Sequence, residues 1–372
     1  MSSTADIRNA KKRPSIFEVA RSAGVSHQTV SRVINDSPDV SETTRAKVQR
    51  AIDRLGYRPS SSARALASRR SRTIGLIVGG MRFHGQLSTM GAIESVARSH
   101  GFFISFGLID ETKASKRDVE RLCGMFLEQN VDAFIFLAPT DMMFAAACQT
   151  RSSKPKVIVS STHGKMSVEE GMTHNRGSGA ASFLGIDQWS AMKDVATVVR
   201  GMEHRSALYL SGPPQWRDAQ TRLQAWQTYC RQMSIQTCIV RARDWSAGEA
   251  YALMNHFLDE IGRGGSALPT VVVAASDSQA IGASRAMHEH GIRIPQDVSL
   301  VGFDDMPGMD NLYPPLTTVH PHFDQLGALA MREALALMGE GPHPLFRESL
   351  HGAGLVPATL MKRRSLAKAR MH

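Results

Sequence analysis

The sequence predicts a small all-α helix–turn–helix headpiece followed by an α/β core of two doubly wound lobes. Three observations carry that prediction. The first is the stretch Ala20–Asn35, ARSAGVSHQTVSRVIN, in which a short helix runs into Gly24 and a second helix starts after Ser26. The second is the charge distribution. Residues 1–72 hold 15 Lys/Arg against 6 Asp/Glu, a net of +9, whereas the remaining 300 hold 29 against 28. The third is a change of texture at Thr73, where apolar runs begin to alternate with segments of helical periodicity.

Residues 1–13 read as a disordered basic arm. Ser15-Ile-Phe-Glu18 has capping-box spacing and opens the first helix, whose inner stripe is Ile16, Val19, Ala20 and Ala23. Gly24 suits a tight turn because it tolerates positive φ. Ser26 supplies an N-cap for the second helix. On a wheel of about 100° per residue, His27, Ser31, Asn35, Gln28 and Arg32 fall on one side, and Val33, Val30 and Ile34 on the other. An amphipathic surface helix also has a polar face. Here that face is short-chained and tipped with amide or guanidinium groups, as a helix that reads base edges in a major groove requires. Ser41 caps a third helix with Val48, Ile52 and Leu55 inward, and Gly56 ends it. Three short helices make a small core, so the headpiece, residues 14–59, is expected to be modestly stable.

Ser60–Arg72, SSSARALASRRSR, is polar, basic and Ala-rich. Alone it is a marginal helix. It reads either as a flexible linker or as a segment that folds only on DNA. From Thr73 the runs TIGLIVGG, FFISFGLI, VDAFIFLA, KVIVS, SFLGID, SALYLSG, TVVVAA and VSLVGFD alternate with helical segments, two of them near Leu87–His100 and Ser115–Gln129. That alternation means parallel sheets covered on both faces. The strands are too many for one small sheet. Two lobes follow, with a ligand cleft at the C-terminal ends of the strands. Ser167–Ala181 is Gly/Ser-rich and reads as a lid or a surface loop. The basic stretch after Met361 reads as a solvated tail, residues 363–372.

Other classes are disfavoured. No apolar run approaches the roughly 18 residues of a membrane span. The N-terminal stretch has no apolar region behind its basic residues, so it does not read as a secretory signal. Cys123, Cys148, Cys230 and Cys238 are scattered and read as thiols of a reducing compartment. There is no G-x-S-x-G, H-E-x-x-H or P-loop, and the 14 His show no metal-ligand spacing. A cytoplasmic non-enzyme with no cofactor and no metal is expected.

At these residues the chain resembles the lactose-repressor (LacI/GalR) family of bacterial transcription regulators. The resemblance rests on IFEVARSAGVSHQTVSRVIND, VSETTRAKVQRAIDRLGYRP and ARALAS in the headpiece. In the core it rests on SGPPQWRDAQTRLQAW, RDWSA, SDSQAIGA, VSLVGFDD and PPLTTVHPHF. It implies a periplasmic-binding-protein-like core over 73–362. Lobe 1 is expected at about 73–188 and 321–352, and lobe 2 at about 189–320 and 353–362. The family's reading-helix positions fall on His27, Gln28 and Arg32, where Arg suits guanine and Gln adenine. Ser31 and Asn35 are expected at phosphates or bases, and Ser15, Ser26, Thr29 and Tyr57 at the backbone. The linker corresponds to a hinge helix, 60–72. Leu66 is its minor-groove wedge, Ala63 and Ala67 are small enough for two hinges to pack, and Arg64 meets phosphate or groove. Ser60 stands where the family often has Asn.

Phe83, Arg222, Trp245, Asp304 and Phe323 match places that line the family's sugar pocket. Arg222 can instead pair Asp218 on its own helix, Trp245 can be core, and Asp304 or Asp305 can cap a turn. Ser160 stands where the lactose-binding pattern has a carboxylate, Ser276 where it has an amide, and Asp218 where it has a small hydroxyl residue. The ligand therefore need not be lactose-like. The resemblance implies a homodimer on a palindromic double-stranded operator, and without C-terminal heptads no tetramer is expected. It implies a repressor released by a sugar or glycoside. The alternative is the same fold corepressed by a purine, a sugar phosphate or a phosphoprotein.

Overall fold

The computed structural model describes residues 14–34, 37–58, 70–164, 166–175, 179–264, 267–345, 347–348 and 352–370. The chain divides into two compact units, Met1–Ser71 and Arg72–His372. The basic arm, Asn35, and the hinge positions Ala63, Arg64 and Leu66 lie outside the described residues.

In the first unit, α1 spans Ile16–Ala23, α2 His27–Ile34 and α3 Glu42–Leu55. The Ser15/Glu18 capping box is formed, and Gly24 ends α1 at φ 68°, in the left-handed region. Ser26 Oγ accepts the Thr29 amide at 3.1 Å and Ser41 Oγ that of Thr44 at 3.4 Å. Val19, Val30, Val33, Val48 and Ala51 form the small core.

Arg72 belongs to the second unit, not to the hinge. Its amide donates to Asp132 Oδ2 at 2.7 Å, and its guanidinium donates to the Gly101 and His100 carbonyls over the Phe102 ring. The unit holds two sheets. The first has β1 (Thr73–Gly79), β2 (Phe103–Ile109), β3 (Ala133–Leu137), β4 (Lys156–Val159), β5 (Ala181–Ile186), β11 (Arg347–Glu348) and β12 (Gly354–Val356). Their order is β11-β12-β5-β4-β3-β1-β2. The second has β6 (Ser206–Ser211), β7 (Gln236–Arg241), β8 (Val271–Ala274), β9 (Ser299–Phe303), β10 (Thr317–Pro321) and β13 (Ala358–Met361), in the order β13-β10-β9-β8-β6-β7. All pairs are parallel except β11 with β12 and β13 with β10. Strands such as β1, with Ile74, Leu76, Ile77 and Val78 fully buried, read as continuous apolar runs because helices cover both faces.

Nine further helices belong to this unit among the described residues: α4 (His84–Ser99), α5 (Lys116–Glu128), α6 (Asp141–Gln149), α7 (Val168–His174), α8 (Gln188–Gly201), α9 (Arg217–Gln232), α10 (Ala247–Gly264), α11 (Asp277–Glu289) and α12 (Phe323–Leu337).

The structure corrects three sequence expectations. The last passage between lobes falls at Pro357, not near 353, because Gly354–Val356 pairs with β5 in the first sheet. Proline cannot donate to a ladder, so it separates β12 from β13. The stretch from Ser167 is not an open loop over 168–174. A Ser167/Glu170 capping box starts α7, which buries Val168 and Gly171. The basic C-terminal stretch is not a solvated tail. Ser365 is buried, donates to Leu300 O at 2.6 Å and accepts the Thr317 amide at 2.7 Å. Ala369 N bonds Met202 O at 2.8 Å.

Candidate functional site: a reading helix and an interlobe cleft

On α2, Val30 and Val33 point into the headpiece core, which turns His27, Gln28 and Arg32 outward as exposed side chains. Ser15 and Ser26 are exposed, and Thr29 and Ser31 half-buried. The same hydroxyls that cap α1 and α2 therefore stand at the helix starts, where freed amides favour phosphate oxygens. Tyr57 is different. It packs into the headpiece core instead of standing on the surface. Phe17, missed in the sequence, is 62% exposed, with its ring 5.1 Å from that of His27. An exposed Phe beside the reading face has no core to fill. Its signal was its place on α1 opposite the Ile16–Ala20 stripe.

In the second unit a cleft opens where the lobes face each other. It is lined by Phe83, Asp218, Arg222, Trp245, Ser276, Asp304 and Phe323. All seven expected residues are brought together from both lobes and from six separate chain segments. Ser160 is not among the lining residues; its hydroxyl donates to Ala138 O at 2.8 Å. Trp216, His84 and Ser278 also line the cleft and were not foreseen. They lie at helix starts following β-strands, and the period-2 and period-3.6 patterns do not mark which loop residue turns inward.

Arg222 is 3% exposed. It does not pair Asp218. Its Nε donates to Gln188 Oε1 at 2.7 Å, one terminal nitrogen donates to the Ala275 carbonyl, and the other lies 3.4 Å from Asp304 Oδ1. Its guanidinium lies 3.5 Å from the centre of the Phe303 ring. Asp218 instead accepts from Ser161 Oγ and, at 3.2 Å, from Gln188 Nε2. Asp304 sits at φ 109°, a conformation rare for a non-glycine residue, at the turn after β9. Burial pushes its carboxyl up to about 6 against the pull of Arg222. Behind it, burial and the Asp304 charge push Asp277 up to about 8, although it accepts from Thr318 Oγ1 at 2.6 Å and from the Met306 amide at 2.8 Å. Burial, and then the His320 charge, lower the His84 imidazole below its ordinary value.

The walls are aromatic. Phe83 meets Trp216 edge-on at 4.9 Å, and Trp216 meets Trp245 at 5.7 Å. Gly212 lets the Trp245 ring lie against the backbone, where a Cβ would collide with it. Trp245 Nε1 is buried without a hydrogen-bond partner among the described residues. Buried donors are nearly always satisfied, so this one stands ready for an acceptor. Ser276 Oγ accepts the Gln279 amide at 3.3 Å and caps α11 at the cleft floor. The cavity is about 90 Å³, below the roughly 300–1,000 Å³ of pockets that hold drug-sized ligands. Among the described residues no group of three His, Cys, Asp or Glu is placed to hold a metal, and no helix is long and apolar enough to cross a membrane.

A helix–turn–helix unit with outward recognition side chains, joined to a two-lobed core of the periplasmic-binding-protein type, defines a class of ligand-responsive regulators. Residues 15–60 match the family described as bacterial regulatory proteins, lacI family, and residues 198–366 a periplasmic binding protein-like domain. The lactose operon repressor of Escherichia coli is 30% identical over 95% of this chain and 91% of its own. Catabolite control protein A of Staphylococcus xylosus is 28% identical over 87% and 92%. A crystal structure of the Lac repressor dimer bound to operator and the anti-inducer ONPF superposes with a TM-score of 0.81 at 27% identity, covering 96% of this chain and all of that one. The chain belongs to the lacI family of bacterial regulatory proteins.

Proposed function

We propose that this chain is a cytoplasmic, sequence-specific repressor that binds a palindromic operator as a homodimer and is released by a neutral sugar or glycoside. The observation that carries the reading is the cleft. Residues expected at a sugar pocket from five separate sequence motifs converge on one cavity, in a chain whose relatives include a lactose operon repressor. Paired carboxylate and guanidinium groups such as Asp304 and Arg222 share vicinal hydroxyls, and Phe83, Trp216 and Trp245 give flat apolar walls for a sugar face. Asp218 and Asp304 place two carboxylates beside the Arg222 guanidinium, which Asp304 already engages, and Arg82, the second guanidinium at the cleft, is paired with Glu111. That balance favours an uncharged ligand over a sugar phosphate.

On DNA, Arg32 and Gln28 read bases, His27, Ser31 and Asn35 add base or phosphate contacts, and Ser15, Ser26 and Thr29 hold the backbone. Tyr57 supports this surface from within. Leu66, flanked by Ala63 and Arg64, wedges the minor groove. A single reading helix spans too few base pairs for useful specificity, so a symmetric dimer follows. The edge strand β2 exposes Phe103, Phe106 and Leu108. An apolar stripe on a free sheet edge needs cover, and a second copy of the chain supplies it.

A thermal-shift scan of the full chain against sugars, glycosides, sugar phosphates and purines tests the effector class. A ligand at about 100 times its Kd adds about 2.7 kcal/mol, a rise of several degrees. A shift by an uncharged sugar or glycoside supports the reading. A shift by phosphates or purines alone replaces it with the corepressed alternative.

A further inference from the structure

Beside the cleft, one side chain of lobe 2 passes wholly into lobe 1. Arg217, the first residue of α9, has no exposed surface. Its guanidinium donates to Ser161 O at 3.1 and 2.9 Å, to Met166 O at 2.7 Å and to Asp141 Oδ1 at 3.2 Å. It lies 3.8 Å from the centre of the Phe144 ring. Ser161, Met166, Asp141 and Phe144 all belong to lobe 1. The backbones lock as well. Arg217 N donates to Pro139 O at 2.9 Å, Asp141 N donates to Gln215 O at 3.2 Å, and Thr140 bridges Trp216 as isolated antiparallel neighbours. Gln220 Nε2, one turn along α9, donates to Asp141 Oδ2 at 2.9 Å.

Arg82 of lobe 1, also at the cleft, makes no comparable crossing among the described residues: it is largely exposed and pairs with Glu111 of its own lobe at 3.5 Å.

We propose that Arg217 is a positioning residue that pins the lobes together along this edge, so that the cleft opens as a swing that keeps this edge closed. A guanidinium with most of its donors engaged and no water access is costly to withdraw, and a bidentate fork fixes direction as well as distance. The neighbouring residue in the chain is Asp218, whose carboxylate faces the cleft and also accepts from Ser161. The pin therefore sets where the cleft presents its second carboxylate. Calling the swing effector-driven rests on the function proposed above. The pin itself does not, and it is tested without effector or DNA.

The experiment is hydrogen exchange with mass spectrometry on the full chain, wild type against Arg217→Met, which keeps the bulk and removes the fork. The expected result is a loss of protection of about tenfold or more in 139–144 and 215–219. Protection in β1 and β6, one strand from each sheet, should be unchanged, and Arg217→Lys should fall between. Unchanged protection in 139–144 and 215–219 overturns the proposal. If Arg217→Met unfolds, the double variant Asp141→Asn/Gln220→Ala decides: it removes the charge opposite Arg217 and the Gln220 bond, but leaves an amide oxygen and the Ser161 and Met166 carbonyls as acceptors for the guanidinium. Selective loss at the same segments supports the pin, and no loss overturns it. A uniform rise in exchange across both lobes in the double variant also overturns it, since that marks a role in folding alone.

Discussion

The headpiece and the core spend their residues differently. The headpiece buries seven hydrophobic residues in one cluster, the largest of them Tyr57. The core has four clusters, each of which buries fourteen or more. The small unit can keep its shape only through caps and turns, and it turns its polar tips outward. The large unit has core enough to hold Arg217, Arg222 and Asp277 out of water. Recognition of a rigid polyanion needs exposed side chains on a preset helix. Recognition of a small ligand needs buried polar groups that are satisfied before it arrives.

The largest expected effect tests the buried side of that contrast. Arg222→Ala removes the partner of Asp304 and the donor to Gln188 and Ala275. Removing the buried member of this ion pair and leaving the Gln188 and Ala275 acceptors unmet costs about 3–5 kcal/mol. Calorimetric melting should show the core destabilised by that order, and ligand-induced shifts should vanish. A melting temperature within a degree of wild type would mean that the Arg222 network is dispensable.

Next is the pH dependence of the core. Asp277 and Asp304 bind protons more tightly folded than unfolded, with carboxyls at about 8 and about 6. The folded state therefore holds more protons than the unfolded state between about pH 4 and pH 8. Stability falls as pH rises through that window, by on the order of a few kcal/mol. Asp277→Asn should flatten the slope of melting temperature between pH 5 and 8, even if it lowers the melting temperature by losing the Met306 bond. An equally steep slope in the variant would place the titration elsewhere.

On the exposed side, Arg32→Ala should relax discrimination at one base pair per half-site by about 1–3 kcal/mol and leave core melting untouched. Binding competition against single-position operator variants reads this. Uniform weakening over all sequences would reduce Arg32 to a phosphate contact. The smallest effect is Ser26→Ala. It removes the cap on the Thr29 amide, worth about 1 kcal/mol. In so small a unit that suffices to raise amide exchange across 27–34, with no change in the core strands.

The two units also differed in how much of them the sequence disclosed. The headpiece was legible nearly to the residue, because capping boxes, a left-handed glycine and a 3.6-residue stripe are local signals. Tyr57 was the exception, since whether a Tyr stands out or packs in depends on the chain beyond Gly56. In the core, strands with continuous apolar runs stood out. β7, QTCIVR, did not, because its half-exposed edge position leaves mixed character. The cleft was assembled through resemblance and not through pattern. No periodicity ties Phe83 to Asp304, and the partner of Arg222 proved to be Asp304, 82 positions away, and not Asp218, four away. Arg217 was invisible for the same reason. A lone Arg at a helix start reads as solvated until the opposite lobe is seen around it.

If the cleft governs the headpiece, ligand in the one must change the DNA affinity of the other. The most direct test selects a binding site from random DNA with the full chain, then measures affinity for that site with and without an uncharged sugar or glycoside that shifts the melting temperature. The ligand is expected to weaken DNA binding by tenfold or more, and Arg222→Ala to abolish this response while sparing affinity in its absence. DNA affinity unchanged at saturating ligand, or tightened by it, would contradict the claim.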